Sequence, residues 1–361
     1  MTSDEFVPAS LDPREAFVQR MSDATLSAFD IASTYLGLKL GFYRSLASDG
    51  PATAVELAGR TGTNERLVRE WLEQQGATEL LTATNSGGEW RFSLPPGHAD
   101  ALLDPDALDN VAGTMLSLVA DLAQLPRLVE SFRTGEGIPY ADYGPDEAEG
   151  QAMGTRPIYR AEIENWFGAV PDLAKRLADG SARVLEIGCG TGWSSVSIAR
   201  AYPGVTVDGV DLNPGSIEAA RRVAIAEGVA DRVRFELRDA ATLSGAGYDV
   251  ATMFEMLHDL ARPVEALRVA REALGPNGVV LVADEPVGDA YAGPADEDER
   301  RHYGWSLLHC LPASMTEPGS AATGTLMRPD TLRKYATDAG FATVEVLPVD
   351  SVAFRLYLLR P

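Results

Sequence analysis

A histidine and an aspartate stand side by side in the stretch FEMLHDLARP, residues 254–263, where the pattern reads as the end of a β-strand. Adjacent strand residues point to opposite faces, so His258 and Asp259 serve one site only where the strand has ended. His258 is open to three roles: proton acceptor, metal ligand or helix cap. His309, in WSLLHCLPASM, lies 51 positions further on. Together His258, Asp259 and His309 offer the two-histidine, one-carboxylate donor set of non-haem iron sites, with zinc as another occupant. His302 is the other candidate for the second histidine. A hydrogen-bonded His309 inside a pocket-lining helix is the plainer alternative.

The stretch VLEIGCGTGWSS places glycines at 188, 190 and 192 between a strand and a helix. Such glycines let the backbone approach a ligand that a Cβ would hold off. A turn of this kind serves more than one nucleotide, and three features narrow the choice. Glu186 precedes the first glycine by two residues, and the spacing is G-x-G-x-G. Asp211, followed by Leu212 at the end of VDGVDL, is placed to accept both hydroxyls of a ribose. Asp239 beside Ala240, in FELRDAAT, offers a carboxylate for an adenine amino group, and Phe254 closes the next strand.

The elements that must hold these residues follow from periodicity. From residue 181 onward, apolar strand-like runs alternate with helical segments: ARVLEIG, VTVDGVDL, VRFELRD, YDVATMFE, GVVLVADE, ATVEVLPV and AFRLYLL. This is the pattern of a doubly wound α/β sheet of seven strands. Residues 1–100 read differently. Two short helices flank RTGTN, with Gly62 in the turn and Thr63 or Asn64 capping the second, and two strands flank Asn-Ser-Gly-Gly. The expectation is a winged-helix domain at 1–100, a helical connector and lid at 101–180, and the α/β domain at 181–361. Lid candidates with chemistry are Tyr140, Tyr143, Arg156 and Tyr159. Trp305, Leu308 and Met315 are candidates for an apolar substrate wall, beside His309.

Composition removes several classes of function. The 361-residue chain carries a net charge of −22, which argues against affinity for nucleic acid or anionic membranes, both of which reward basic patches. The first hundred residues hold eight Lys/Arg against fourteen Asp/Glu, an unfavourable balance for a DNA-binding helix-turn-helix. No 18-residue apolar run and no leader pattern are present, and the two cysteines, Cys189 and Cys310, suit a reducing cytoplasm. A small-molecule substrate fits best.

With these motifs in place, residues 181–361 resemble the class I S-adenosylmethionine-dependent methyltransferases. The whole chain is similar to the subgroup with an N-terminal winged helix, which includes small-molecule O-methyltransferases and actinobacterial methyltransferase-like proteins. The resemblance implies that Gly188, Gly190 and Gly192 line the methionine part of the cofactor, Asp211 the ribose and Asp239 the adenine. It implies that His258, in LHD, is a general base oriented by Glu285, with Asp284 the neighbouring candidate. It also implies a homodimer whose N-terminal helices swap and cap the partner. The same architecture occurs in metal-dependent C-methyltransferases of 2-oxo acids, where His258, Asp259 and His309 would be the ligands of iron or zinc. A winged-helix regulator, or a cofactor-binding protein that has lost methyl transfer, completes the set of alternatives.

Overall fold

Side-chain caps fix the helix starts of the N-terminal part. Thr53 and Glu56 form a reciprocal capping box, with the Thr53 N–H donating to Glu56 Oε2 at 2.8 Å. Asn64 Oδ1 accepts from the N–H groups of Arg66 and Leu67 and so starts the second helix of the helix-turn-helix. In the computed structural model, residues 12–243 and 247–361 are described. The chain divides into two compact units, Met1–Asp104 and Pro105–Pro361, so residues 105–180 belong to the larger unit.

The first unit runs α1 (Pro13–Lys39), α2 (Phe42–Asp49), α3 (Ala54–Thr61), α4 (Glu65–Ala77), the hairpin β1 (Thr82–Ser86) and β2 (Glu89–Ser93), and α5 (Pro96–Leu103). Its core gathers Tyr43, Leu57, Trp71, Leu72 and Phe92. Gly87 and Gly88 take the positive φ angles that the tight hairpin requires. On α4 the two arginines are committed to the helix itself, Arg66 to Glu70 and Arg69 to Glu65.

The second unit opens with α6 (Ala112–Ala123), α7 (Leu125–Thr134), a 3-10 turn at Tyr140–Tyr143, α8 (Pro145–Gly168) and α9 (Pro171–Ala178). The alternating part follows as β3 (Arg183–Ile187), α10 (Trp193–Ala201), β4 (Thr206–Asp211), α11 (Pro214–Ala226), β5 (Val233–Leu237), β6 (Tyr248–Phe254), α12 (Pro263–Ala273) and β7 (Leu274–Asp284). After β7 come α13 (Glu297–Trp305), a π-helical turn at Ser306–Cys310, α14 (Leu311–Ser314), α15 (Pro329–Asp338), β8 (Thr343–Val346) and β9 (Arg355–Arg360). The sheet order is β5-β4-β3-β6-β7-β9-β8, parallel except for β9, which runs antiparallel to both neighbours.

Helices cover both faces, which is why the central strands are apolar on both sides. Side chains of α8, α9, α10 and α11 pack on one face, and those of α12 and α15 on the other. Glu186 is the exception in the buried run of β3. Strands β4 and β6 lie on opposite sides of β3, so the loops leaving the carboxyl ends of β3 to β6 converge at a topological switch point.

Candidate active site

The glycine loop is shaped by three residues at left-handed φ, Gly188 at 69°, Gly190 at 50° and Gly192 at 84°. A Cβ on Gly188 would lie 2.7 Å from Met256, and one on Gly192 2.6 Å from Phe235. A Cβ on Gly190 would meet nothing within 4 Å, so that side of the glycine faces open space. Below the loop, Glu186 accepts hydrogen bonds from the hydroxyls of Ser194 and Ser195, tying β3 to the first turn of α10. Burial pushes the Glu186 carboxyl up to about 7 despite these donors. At the end of β4, Asp211 Oδ2 accepts from the Gly190 N–H at 2.9 Å, and its Oδ1 from the Asn213 N–H at 2.8 Å. Burial raises the Asp211 carboxyl, and these backbone donors hold the rise in check.

These elements border a cavity of about 730 Å³ in the second unit. Gly188, Gly190, Gly192, Asp211, Leu212, Asp239, Ala240 and Phe254 all line it. Glu186 does not; it is 1% exposed and supports the loop from beneath. Tyr140, Gln151, Thr155 and Tyr159, supplied by the segment expected as a lid, line it as well. Asp259, Leu260, Ala313 and Thr316 close another side.

The LHD stretch is a 3-10 turn at Leu257–Asp259, so the strand has ended and the two residues do share a region. His258 itself lies behind the cavity wall, 1% exposed. Its Nδ1 is 3.0 Å from Asp284 Oδ1 and 3.3 Å from Glu285 Oε2, and its Nε2 is 3.3 Å from Asp259 Oδ1. Asp284 is therefore the nearer orienting carboxylate and Glu285 the second. Burial opposes a charged imidazole, yet Asp284, Glu285 and Asp259 together hold His258 well above its usual range. The Glu285 carboxyl is itself pushed well up by burial, with His258 opposing the shift. Cys310 completes the group: His258, Asp259 and Cys310 offer ligand atoms within 4.8 Å of one another. Burial pushes its thiol up.

His309 joins different partners from those expected of it. Its Nδ1 is 3.0 Å from Asp121 Oδ1 and 3.9 Å from Glu147 Oε1, and its ring packs on Tyr143 and Tyr140. His258, Asp259 and His309 do not form a set with ligand atoms within 4.8 Å, and His302 enters no such set among the described residues. The proposed metal triad is thus split, because adjacent residues of the π-helical turn, His309 and Cys310, face different carboxylates.

The remaining lid and wall candidates do not reach the cavity. Arg156 is held by Asp106 through two bonds of 2.9 and 3.2 Å and lies over the Trp193 ring at 4.2 Å. Tyr143 is buried, and its hydroxyl donates to the Leu308 carbonyl at 3.1 Å. Trp305 ends α13, half-buried, and is not among the lining residues. The residues missed in the sequence are Glu255, Asp121 and Glu147. Glu255 lines the cavity in a left-handed conformation at φ 53°, rare for a residue with a side chain. Asp121 carried a readable signal, a carboxylate on the apolar stripe of α6 that also contains Leu116, Ser117 and Ala120.

A sheet of this order, with a glycine loop after its first strand and acids closing the second and third, is the class I methyltransferase fold, here preceded by a winged helix. Residues 185–280 match the family model described as a methyltransferase domain, and residues 31–103 that of the Rv2258c-like winged HTH domain. A ubiquinone biosynthesis O-methyltransferase of Xanthomonas axonopodis pv. citri is 32% identical over 112 residues, 31% of this chain and 46% of the relative. The 27-O-demethylrifamycin SV methyltransferase of Amycolatopsis mediterranei is 34% identical over 35% of this chain and 47% of its own. The chain thus spans about half the length of these relatives. Among solved structures, the mitomycin 7-O-methyltransferase MmcR superposes with a TM-score of 0.71 at 20% identity, covering 96% of this chain and 99% of that one.

Proposed function

We propose that this chain transfers a methyl group from S-adenosylmethionine to an oxygen of a small molecule. The observation that carries the reading is the one cavity lined jointly by the glycine loop, Asp211, Asp239, Tyr140 and Asp259. S-adenosylmethionine supplies a methyl group made electrophilic by its sulfonium. Asp211 would accept the ribose hydroxyls, Asp239 the adenine amino group, and Gly190 leaves room for the methionine part. An acidic lining suits a cationic cofactor. Tyr140, Thr155 and Tyr159 would orient the acceptor, and orientation in a closed pocket supplies much of the rate.

The sequence assigns the acceptor's proton to His258. Asp284, Glu285 and Asp259 around it favour the protonated form of His258, against the opposing effect of burial, and this weakens it as a base. Asp259 borders the cavity at 3.3 Å from His258 Nε2, so in this reading Asp259 takes the proton and His258 holds it in place. Asp284 and Glu285 in turn position the imidazole. The three proteins named above are methyltransferases, all named for oxygen, which favours an oxygen acceptor and a role in secondary metabolism. The 2-oxo-acid alternative loses its ligand set in the separation of His309 from His258.

A cytoplasmic homodimer completes the proposal. Helix α1 leaves Phe17, Val18, Leu26 and Phe29 more than half exposed, an apolar surface of the kind that pairs between copies. Light scattering during gel filtration measures the assembly. The activity is tested by tritiated-methyl transfer to a panel of phenols and hydroxylated intermediates, with calorimetry of S-adenosylhomocysteine. Micromolar binding that weakens by about tenfold or more in Asp211→Ala is expected. A folded wild type that binds no S-adenosylhomocysteine would sink the reading.

A further inference from the structure

A second cluster of ionisable groups lies outside the methyl-transfer machinery, beneath the wall formed by Tyr140. Asp121 comes from the last turns of α6, Glu147 from the first turn of α8, and His309 from the π-helical turn; they are 0%, 6% and 5% exposed. Their donor atoms lie within 4.8 Å of one another, with His309 Nδ1 at 3.0 Å, a hydrogen bond, from Asp121 Oδ1 and at 3.9 Å from Glu147 Oε1. The second oxygen of each carboxylate, Asp121 Oδ2 and Glu147 Oε2, is buried with no hydrogen-bond partner. Leaving such oxygens bare in an apolar interior costs several kcal/mol each unless a proton or a cation meets them.

The geometry suits a cation. Donors bound at roughly 2.0–2.2 Å in a tetrahedral or octahedral shell stand about 3–3.6 Å apart. The observed separations of 3.0 and 3.9 Å bracket that range, so shifts of a few tenths of an ångström close the site. One imidazole and two carboxylates, with no thiolate, fit zinc, iron or manganese, and a divalent ion balances both carboxylates. Three helical elements deliver the donors, and π-helical turns recur at functional sites. We propose that Asp121, Glu147 and His309 bind a divalent first-row transition ion that pins α6, α8 and the Ser306–Cys310 turn under the cavity wall. The Tyr143 hydroxyl, bonded to the Leu308 carbonyl, links the same turn to the Tyr140–Tyr143 segment. The site depends neither on the methyl acceptor nor on His258.

The test uses the full chain, stripped with a chelator and titrated with Co²⁺ while visible d–d bands and calorimetry are followed. One equivalent of Co²⁺ is expected, with affinity reduced by about tenfold or more in Glu147→Gln and in His309→Asn. His258→Asn is expected to stay within about twofold of wild type, because His258 belongs to the other cluster. Circular dichroism establishes that each variant is folded. If Glu147→Gln does not fold, Glu147→Asp keeps the charge, withdraws the donor and weakens binding in the same direction. Folded wild type that takes up no stoichiometric Co²⁺ overturns the proposal and leaves the carboxylates neutralised by protons. Binding lost in His258→Asn and kept in Glu147→Gln overturns it equally, placing the ion at His258.

Discussion

His258 Nδ1 stands 3.0 Å from Asp284 Oδ1, and each side chain is 1% exposed. A charge pair this deeply buried adds little when compared with an apolar pair, but removing one partner strands the other. Asp284→Asn is therefore expected to cost about 3–5 kcal/mol of unfolding free energy, read by urea denaturation. The raised His258 pKa fixes the sign of the pH dependence. The folded state binds the proton more tightly, so its contribution is complete below the unfolded pKa of about 6.5 and is lost as pH rises through the folded value. The stability gap between wild type and His258→Gln should thus shrink as pH rises above about 6.5. A gap that widens above that pH would contradict the raised pKa.

Glu186 gives a second linkage in a lower window. Burial raises its carboxyl from 4.5 to about 7, so the folded chain again holds the proton more tightly than the unfolded chain. Stability falls as pH climbs from about 4.5 to about 7, by an amount on the order of 3 kcal/mol. Glu186→Gln removes that dependence and still meets the Ser194 and Ser195 hydroxyls. Its unfolding free energy should match wild type near pH 5 and exceed it near pH 8. Parallel curves for the two proteins would mean that Glu186 is ionised throughout.

The three loop glycines are not equivalent, and alanine substitutions separate them. Gly192→Ala forces a Cβ to within 2.6 Å of Phe235 at φ 84°, and should cost about 2–4 kcal/mol. Gly190→Ala meets no protein atom within 4 Å, so its cost is backbone strain alone, about 1–2 kcal/mol. Its methyl group enters the cavity, however, and S-adenosylhomocysteine affinity should fall by about tenfold or more. Thermal melts and calorimetry on the two variants should therefore rank them in opposite orders. The same rank in both measurements would remove Gly190 from the cofactor wall.

What the sequence made legible was local. The glycines, Glu186, Asp211 and Asp239 sit at strand ends, where position in the strand-loop-helix pattern already sets their direction. The cap at Asn64 and the hairpin at Gly87 are readable for the same reason. The rest was decided by contacts between distant segments. Arg156 was free to meet a substrate until Asp106, 50 positions away, captured it. His309 found Asp121 across 188 residues, a pairing that no spacing announces. Strand β9 enters between β7 and β8, and that antiparallel insertion is a matter of edge pairing, not of hydrophobic pattern.

The base assignment can be decided kinetically once an acceptor is found. Asp259 borders the cavity and His258 does not, so Asp259→Asn should lower kcat by about a hundredfold or more. Its KM for S-adenosylmethionine should change by less than about twofold, because in this reading Asp211 and Asp239, not Asp259, hold the cofactor. His258→Gln removes the imidazole 3.3 Å from Asp259 and should lower kcat by a smaller factor. It should add no new acid limb to the pH–rate profile, since the proton never resides on an unperturbed imidazole. A limb near pH 6.5 in wild type that disappears in His258→Gln, with Asp259→Asn nearly fully active, would return the base role to His258. That outcome would also require the His258 side chain to turn out of its carboxylate cage toward the cavity when both substrates bind.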